Sequence, residues 1–456
     1  PSSMGDDPSD SGRRVLLKAL YGLPISPRLW SKTLSADLSA FGWLECKHEP
    51  GVWVLRDESG KTIGILTVYV DDCVLAMANK QLCEGWLARL HEKHPLTRIA
   101  TAVDENGGIS FDLTGADVYI CAKTREFRMN MPKYVAKLLK RFDCADLKPR
   151  STPSFPERQL YNGDSGPCDF PFKALCGALQ WLATTARPDI CHATNALARA
   201  SSRPCTKAMA KCGRMVLAYL KGCPDLGLYY SPQHEAEFEE MHKEFAEHAD
   251  NKGVVDDAQV FEGVHTFSDA SFGVVYKSLR SITGVITYLY GTPVCWRSRV
   301  QTIFASSTTE SEWVAAADAT EYSAGVHELH QFLVGSEKTV SKGPLWVDNR
   351  GAVLCARKGH DNTAEIPKRT RHVALRFSRV LDAADRVWFV PTDAQRADGL
   401  TKSCNALALR HIFSNRPKPV PAAEGDDDDE FEIDHHPTYA AMFDDSAYSF
   451  FLKSFD

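Results

Sequence analysis

Six carboxylates in two groups have residue types and spacings that could do chemistry. TyrValAspAsp at 69–72 sets Asp71 beside Asp72 at the bend of a hydrophobic hairpin, where two carboxylates are costly unless solvated, hydrogen-bonded or holding a cation. Neighbouring strand residues point to opposite faces, so Asp71 is the simpler metal ligand and Asp72 supports it from the bend. Phosphoryl transfer through two Mg²⁺ ions about 3.5 to 4 Å apart needs carboxylates gathered from separate segments, which one turn cannot supply. AspAsp is also an ordinary turn dipeptide.

The second group is Asp269, Glu310, Asp348 and Asp398. Two of them end strand-like runs and two open helix-like ones, positions from which distant carboxylates can converge on one edge of a sheet. Singly, each reads as a helix cap or a solvated charge. Jointly, four hard oxygen donors suit Mg²⁺, and gathering them without a cation would be strongly unfavourable. HisGluLeuHis at 327–330 has its histidines only three apart and no further motif element, so it reads as helix surface rather than a zinc-protease site. No GxGxxG, P-loop or Gly-x-Ser-x-Gly occurs, which sets aside dinucleotide, NTPase and serine-hydrolase chemistry. The 14 cysteines form no CxxC pair, and Cys46 with His48 and Cys191 with His192 lack a second half at zinc-finger spacing. Reduced thiols and no structural zinc are expected.

The elements that must position these carboxylates are readable from periodicity. Pro27 opens a helix with Ser26 as its cap and with Trp30, Leu34, Leu38 and Phe41 as its apolar stripe. Strand-like runs follow at Val52 to Arg56, Ile63 to Val70 and Cys73 to Ala78, the last two joined at Asp71 and Asp72. Pro132 opens a helix whose Val135, Leu138, Leu139 and Phe142 form an i, i+3, i+4, i+7 stripe, with Lys133, Lys137, Lys140 and Arg141 on the remainder. Helical stretches are expected at about 172–200 and 205–221, and a charge-rich linker over 233–260. From His265 the order strand, strand, strand, helix, strand, helix, strand, helix predicts a mixed α/β sheet.

At 456 residues, with 44% hydrophobic and 25% charged residues, the chain has globular composition and length for about three domains. No run approaches the roughly 20 apolar residues of a membrane span, and the first residues lack the apolar core of a signal peptide, so no membrane association and an intracellular location, not secreted, are expected. The net charge of -6 divides unevenly: from Ala422 onward there are 11 acidic residues and one lysine, which leaves +4 on the remainder. Cations cluster at 123–150 and 357–376, which favours a polyanionic partner, although solvated helices also carry clustered lysines.

Taken in order, these blocks resemble the C-terminal part of a copia-type retrotransposon Pol polyprotein, a partial reverse transcriptase followed by RNase H. LysAlaLeuTyrGlyLeu and SerProArgLeuTrp (18–30), TyrValAspAsp, and ProLysTyrValAlaLysLeuLeuLysArgPhe (132–142) are similar to its polymerase and connecting blocks, as are AlaLeuCysGlyAlaLeuGlnTrpLeu, ThrAlaArgProAspIle and TyrLeuLysGly (174–222). SerAspAlaSer (268–271), SerIleThrGly (281–284), SerSerThrThrGluSerGlu (306–312), ValAspAsn (347–349), ThrArgHisValAlaLeuArg (370–376) and ValProThrAspAlaGlnArgAlaAspGlyLeuThrLys (390–402) resemble its RNase H blocks.

The resemblance implies an α/β and α+β chain: a disordered lead (1–14), partial palm and thumb (15–155), helical connection (156–232), linker (233–260), RNase H-like mixed-sheet domain (261–415) and acidic disordered tail (416–456). It implies Asp269, Glu310, Asp348 and Asp398 as RNase H ligands of Mg²⁺ and Asp71 and Asp72 as polymerase ligands. RNA/DNA hybrid and template-primer would be the partners, contacted by Lys133, Lys137, Lys140, Arg141, Arg369 and Arg371, in a cytoplasmic particle or the nucleus. Two departures count against polymerisation. The family's earlier palm aspartate block would precede residue 15, and Pro24 and Ile25 stand where the family tends to have LysGln. With Pro1 in place of a start methionine, the chain is expected to be a fragment that polymerises nothing alone, with integrase, protease and the rest of the palm possible upstream. The rival readings are a non-catalytic nucleic-acid-binding relic and an interaction scaffold recruited through the acidic tail.

Overall fold

The computed structural model describes residues 23–99, 101–251, 263–335, 340, 342–361, 378–383, 386–413 and 448–454. These divide into two compact units, one formed by residues 1–98 with 448–456 and the other by 99–447.

In the first unit, α1 (Ser26–Ala40) carries Pro27 in its first turn and buries Leu34 and Leu38. Two short strands, β1 (Leu44–Glu45) and β2 (Val52–Arg56), lead into β3 (Thr62–Tyr69) and β4 (Asp72–Met77), an antiparallel series in which Tyr69 pairs with Asp72. Asn79 caps α2 (Lys80–Lys93) by accepting from Leu82 N at 2.9 Å. β5 (Leu96–Arg98) completes the sheet. Trp43, Trp53, Leu66 and Leu75 form its core with Leu38 and Leu87. The strand Tyr448–Ser454 lies between β4 and β5. These residues belong to the segment read as a disordered acidic tail; Tyr448, Phe450 and Phe451 are aromatic residues that favour strands, unlike the acidic run before them.

The second unit begins with a sheet that periodicity alone did not predict: β6 (Ala102–Val103), β7 (Ile109–Leu113), β8 (Ala116–Cys121) and β9 (Glu126–Asn130), joined later by β10 (Leu228–Tyr230). Short strands of mixed polarity bounded by tight turns gave little signal there. Next come α3 (Pro132–Arg141), α4 (Arg158–Asn162), α5 (Phe172–Thr185), α6 (Cys191–Ala200) and α7 (Lys207–Gly222). The single stretch expected over 172–200 is broken where Pro188 cannot continue a helix.

The expected linker is the helix α8 (Pro232–Ala246). Ser231 caps it by accepting from His234 N at 3.1 Å, and Phe238, Met241 and His242 bury one face while glutamates cover the other. The count of charges concealed an i, i+3, i+4 apolar stripe.

The last sheet has the order β13-β12-β11-β14-β15, with β11 (Val264–Ser271), β12 (Ile282–Leu289) and β13 (Thr292–Val300) antiparallel and β14 (Leu345–Val347) and β15 (Val387–Phe389) parallel to β11. The 27-residue helix α9 (Thr308–Val334) crosses it, and α10 (Arg350–Asp361) follows β14. The helical layer meets this sheet through Trp296 Nε1, which donates to Ala183 O at 2.7 Å, and Asn195 Nδ2, which donates to Ser298 O at 2.9 Å. Among the described residues, no helix is long and apolar enough to cross a membrane.

Candidate metal centre

Strand register brings the first two carboxylates together. Ser268 pairs with Val347 in the parallel ladder of β11 and β14, so Asp269 and Asp348 each sit one residue beyond that pair at the same end of adjacent strands. The third comes from α9. Ser307 caps this helix, its Oγ accepting from Glu310 N at 3.1 Å, while Glu310 Oε2 turns back to accept from Ser306 N at 2.7 Å. This reciprocal cap occupies Glu310. Glu312 lies two residues on, about 200° around the helix axis, and faces the sheet. Oxygens of Asp269, Glu312 and Asp348 all lie within 4.8 Å of one another.

Glu310, expected as the second ligand, is therefore a helix cap, and Glu312 takes its place in the cluster. The signal was present in SerSerThrThrGluSerGlu: SerThrThrGlu at 307–310 has the capping-box spacing, which leaves Glu312 as the glutamate free to point inward. Asp398 opens the short helix Asp398–Thr401 beside the trio without joining it, and binds Lys402 Nζ at 2.8 Å. Thr401 Oγ1 donates to Asp269 Oδ2. Gln395 and Thr392 hydrogen-bond Asp348, and Gln395 Nε2 also donates to Ser268 O at 2.8 Å. Lys402, Thr401 and Gln395 are supporting residues that residue type alone did not single out.

The electrostatics suit a cation. Burial pushes the Asp269 carboxyl up to about 6, with Lys402 pulling down and Asp398 and Asp348 pushing further up. Burial, then Asp269 and Asp348, push Glu312 up to about 10. Asp348 is raised by burial and by Asp398. Protons and the Lys402 ammonium thus hold down a charge that a divalent ion would otherwise neutralise. Glu312 Oε2 is buried with no hydrogen-bond partner, while the Ala270 N–H reaches the same carboxylate. A buried, orphaned carboxylate oxygen among acids, with no apolar reason for its burial, fits a hard cation.

The first unit differs. Val70 and Asp71 form the two-residue turn between β3 and β4, with Val70 at φ 59°. A β-branched residue in the left-handed region costs on the order of 1 to 3 kcal/mol. The Trp30 indole, which donates to Val70 O at 2.7 Å, helps to hold it. Asp71 and Asp72 remain a pair: among the described residues, no third His, Cys, Asp or Glu joins them in a metal-sized group.

On α3, Lys133, Lys137, Lys140 and Arg141 are all exposed as expected, and Lys133 is ion-paired with Asp117. Arg369 and Arg371 fall outside the described residues. HisGluLeuHis is not plain helix surface: His330 is buried and shares a 2.8 Å hydrogen bond with Tyr290 OH, and His327 Nε2 lies 3.0 Å from Val340 O.

Residues 3–156 match the family described as reverse transcriptase (RNA-dependent DNA polymerase). The chain is 26% identical over 407 residues to the Retrovirus-related Pol polyprotein from transposon RE1 of Arabidopsis thaliana, covering 88% of this chain and 24% of that protein. It is 24% identical over 399 residues to the corresponding polyprotein from transposon TNT 1-94 of Nicotiana tabacum, covering 85% and 27%. Over most of its length the chain is similar to the Pol polyproteins of copia-type retrotransposons. It spans about a quarter of the length of these relatives. The reverse transcriptase match takes in the first unit apart from its C-terminal strand, includes the Asp71–Asp72 turn and extends through α3; the Asp269, Glu312 and Asp348 cluster lies beyond it, within a chain similar to Pol polyproteins over most of its length.

Proposed function

We propose that residues 261–415 hydrolyse the RNA strand of an RNA/DNA hybrid in a Mg²⁺-dependent reaction, with Asp269, Glu312 and Asp348 as ligands and Asp398 at the edge of the site. The observation that carries this reading is the convergence of three carboxylates within 4.8 Å with Glu312 Oε2 buried and unpaired. When bound, the divalent ions would supply an activated water and charge stabilisation at the leaving 3′ oxygen. The chain's own residues do the positioning. Asp269 is oriented by Thr401 Oγ1, Asp348 by Gln395 and Thr392, and Glu312 by the capped start of α9. Lys402 balances the cluster and pairs with Asp398 beside it.

The exposed cations of α3 would track a phosphate backbone, so their share of binding should fall with salt. For the first unit we infer a reverse transcriptase part in which Asp71 and Asp72 would hold two metals only together with a further carboxylate. Asp348→Asn tests the nuclease reading. It should abolish Mg²⁺-dependent cleavage of a hybrid while circular dichroism stays unchanged, and undiminished cleavage would remove the assignment. Wild-type protein that binds hybrid in a salt-dependent way without cleaving it would select the other reading, a non-catalytic nucleic-acid-binding relic, which the exposed face of α3 supports.

A further inference from the structure

All 14 cysteines are free thiols, and two of them face each other outside the metal centre. Pro167 and Thr206 form an antiparallel bridge, flanked by Cys168 N donating to Cys205 O at 3.2 Å and Lys207 N donating to Gly166 O at 3.0 Å. That pattern sets Cys168 directly opposite Cys205, and directly opposed residues of this kind have Cα atoms about 5.5 Å apart, inside the range a disulfide spans. The Cys205 thiol donates to Thr206 O at 3.5 Å, and Cys168 lies near enough to help push it up. Both residues are partly exposed, and Cys205 lines an open surface cavity with Phe170, Phe172, Lys173, Arg203 and Pro204, which gives a small oxidant access.

We propose that Cys168 and Cys205 are a modification site at which peroxide forms a disulfide, latching the segment before α5 to the start of α7. The Cys168 thiolate attacks one peroxide oxygen, giving a sulfenic acid and one water. Cys205 then attacks the Cys168 sulfur, the S–S bond forms, and the departing hydroxide takes up the second proton as water. Two thiols lose two electrons and two protons, and one hydrogen peroxide becomes two waters. Burial pushes the Cys205 thiol up, which suits it to the second, resolving step.

The bond would close a loop containing α5 and α6, the helices that hold the last sheet through Ala183 and Asn195. It therefore tightens the platform behind the carboxylate cluster without entering it. Closing a loop of this length should raise the melting midpoint of the second unit by roughly 10 °C.

The test treats the full reduced chain with hydrogen peroxide under native conditions and examines a non-reduced digest by mass spectrometry. The expected product links Cys168 to Cys205, raises the melting midpoint, and is reversed by dithiothreitol; Cys168→Ser and Cys205→Ser should each abolish the shift. Cys176 on α5 is the near competitor, since Cys205 is close enough to help push its thiol up. A Cys176–Cys205 link, or oxidation of other thiols while Cys168 and Cys205 stay reduced, would overturn the proposal. The wild-type digest decides between these outcomes even if a serine variant folds poorly.

Discussion

The turn at Asp71 and Asp72 and the cluster at Asp269, Glu312 and Asp348 are both carboxylate sites, yet they are built in opposite ways. The first is local: two neighbours on one hairpin, half-exposed, on a turn strained at Val70. The second is assembled by topology, from two parallel strand ends and a helix that start far apart in the chain. A local motif can be read from four letters, but it says little about whether other ligands are at hand. A convergent cluster is faint in sequence, but its burial and mutual repulsion make a much stronger statement about affinity for a cation.

The largest expected effect separates the two sites directly. Asp269→Asn should lower Mg²⁺-dependent hybrid cleavage by at least about 10²- to 10³-fold, whereas Asp71→Asn should leave cleavage unchanged in the same assay. Equal losses would merge the two sites and break the contrast.

The support behind the cluster should also show as stability. Phe238 is fully buried on α8 against Tyr288 and His265. Phe238→Ala should destabilise the second unit by about 3 to 5 kcal/mol in denaturant titrations, a loss that a mere linker would not show.

Acid should act through the same region. Burial and then His265 hold the His242 imidazole well below its ordinary 6.5. The unfolded chain therefore takes up a proton that the folded one refuses, and stability is lost as pH falls below 6.5, by up to about 1.4 kcal/mol per pH unit. His242→Leu should flatten that slope. A slope unaltered by the change would assign the acid sensitivity elsewhere.

The smallest effect belongs to the turn. Val70→Gly removes the left-handed penalty and should stabilise the first unit by about 1 kcal/mol, read as a higher denaturation midpoint.

Much of this architecture was legible. The strands at β2 to β4, the Pro132 helix with its cationic face, and the placement of Asp348 at a strand end follow from alternation and helical spacing, whereas β11 runs two residues past Asp269. Three features were not. The sheet of β6 to β9 is made of short strands of mixed polarity, whose period-2 signal is weak. The helix α8 looked like a linker because glutamates outnumber its apolar stripe. Glu310 and Glu312 were separable only by asking which of them the helix start would consume, a question of hydrogen-bond supply rather than of residue type.

That distinction is also where the central claim is most exposed. Titrating Mg²⁺ calorimetrically into Glu312→Gln and Glu310→Gln, with hybrid cleavage measured on the same samples, gives each glutamate one role. The account predicts that Glu312→Gln loses both metal binding and cleavage, while Glu310→Gln keeps both, its amide oxygen still able to accept from Ser306 N. Metal binding and cleavage that survive in Glu312→Gln but vanish in Glu310→Gln would contradict it.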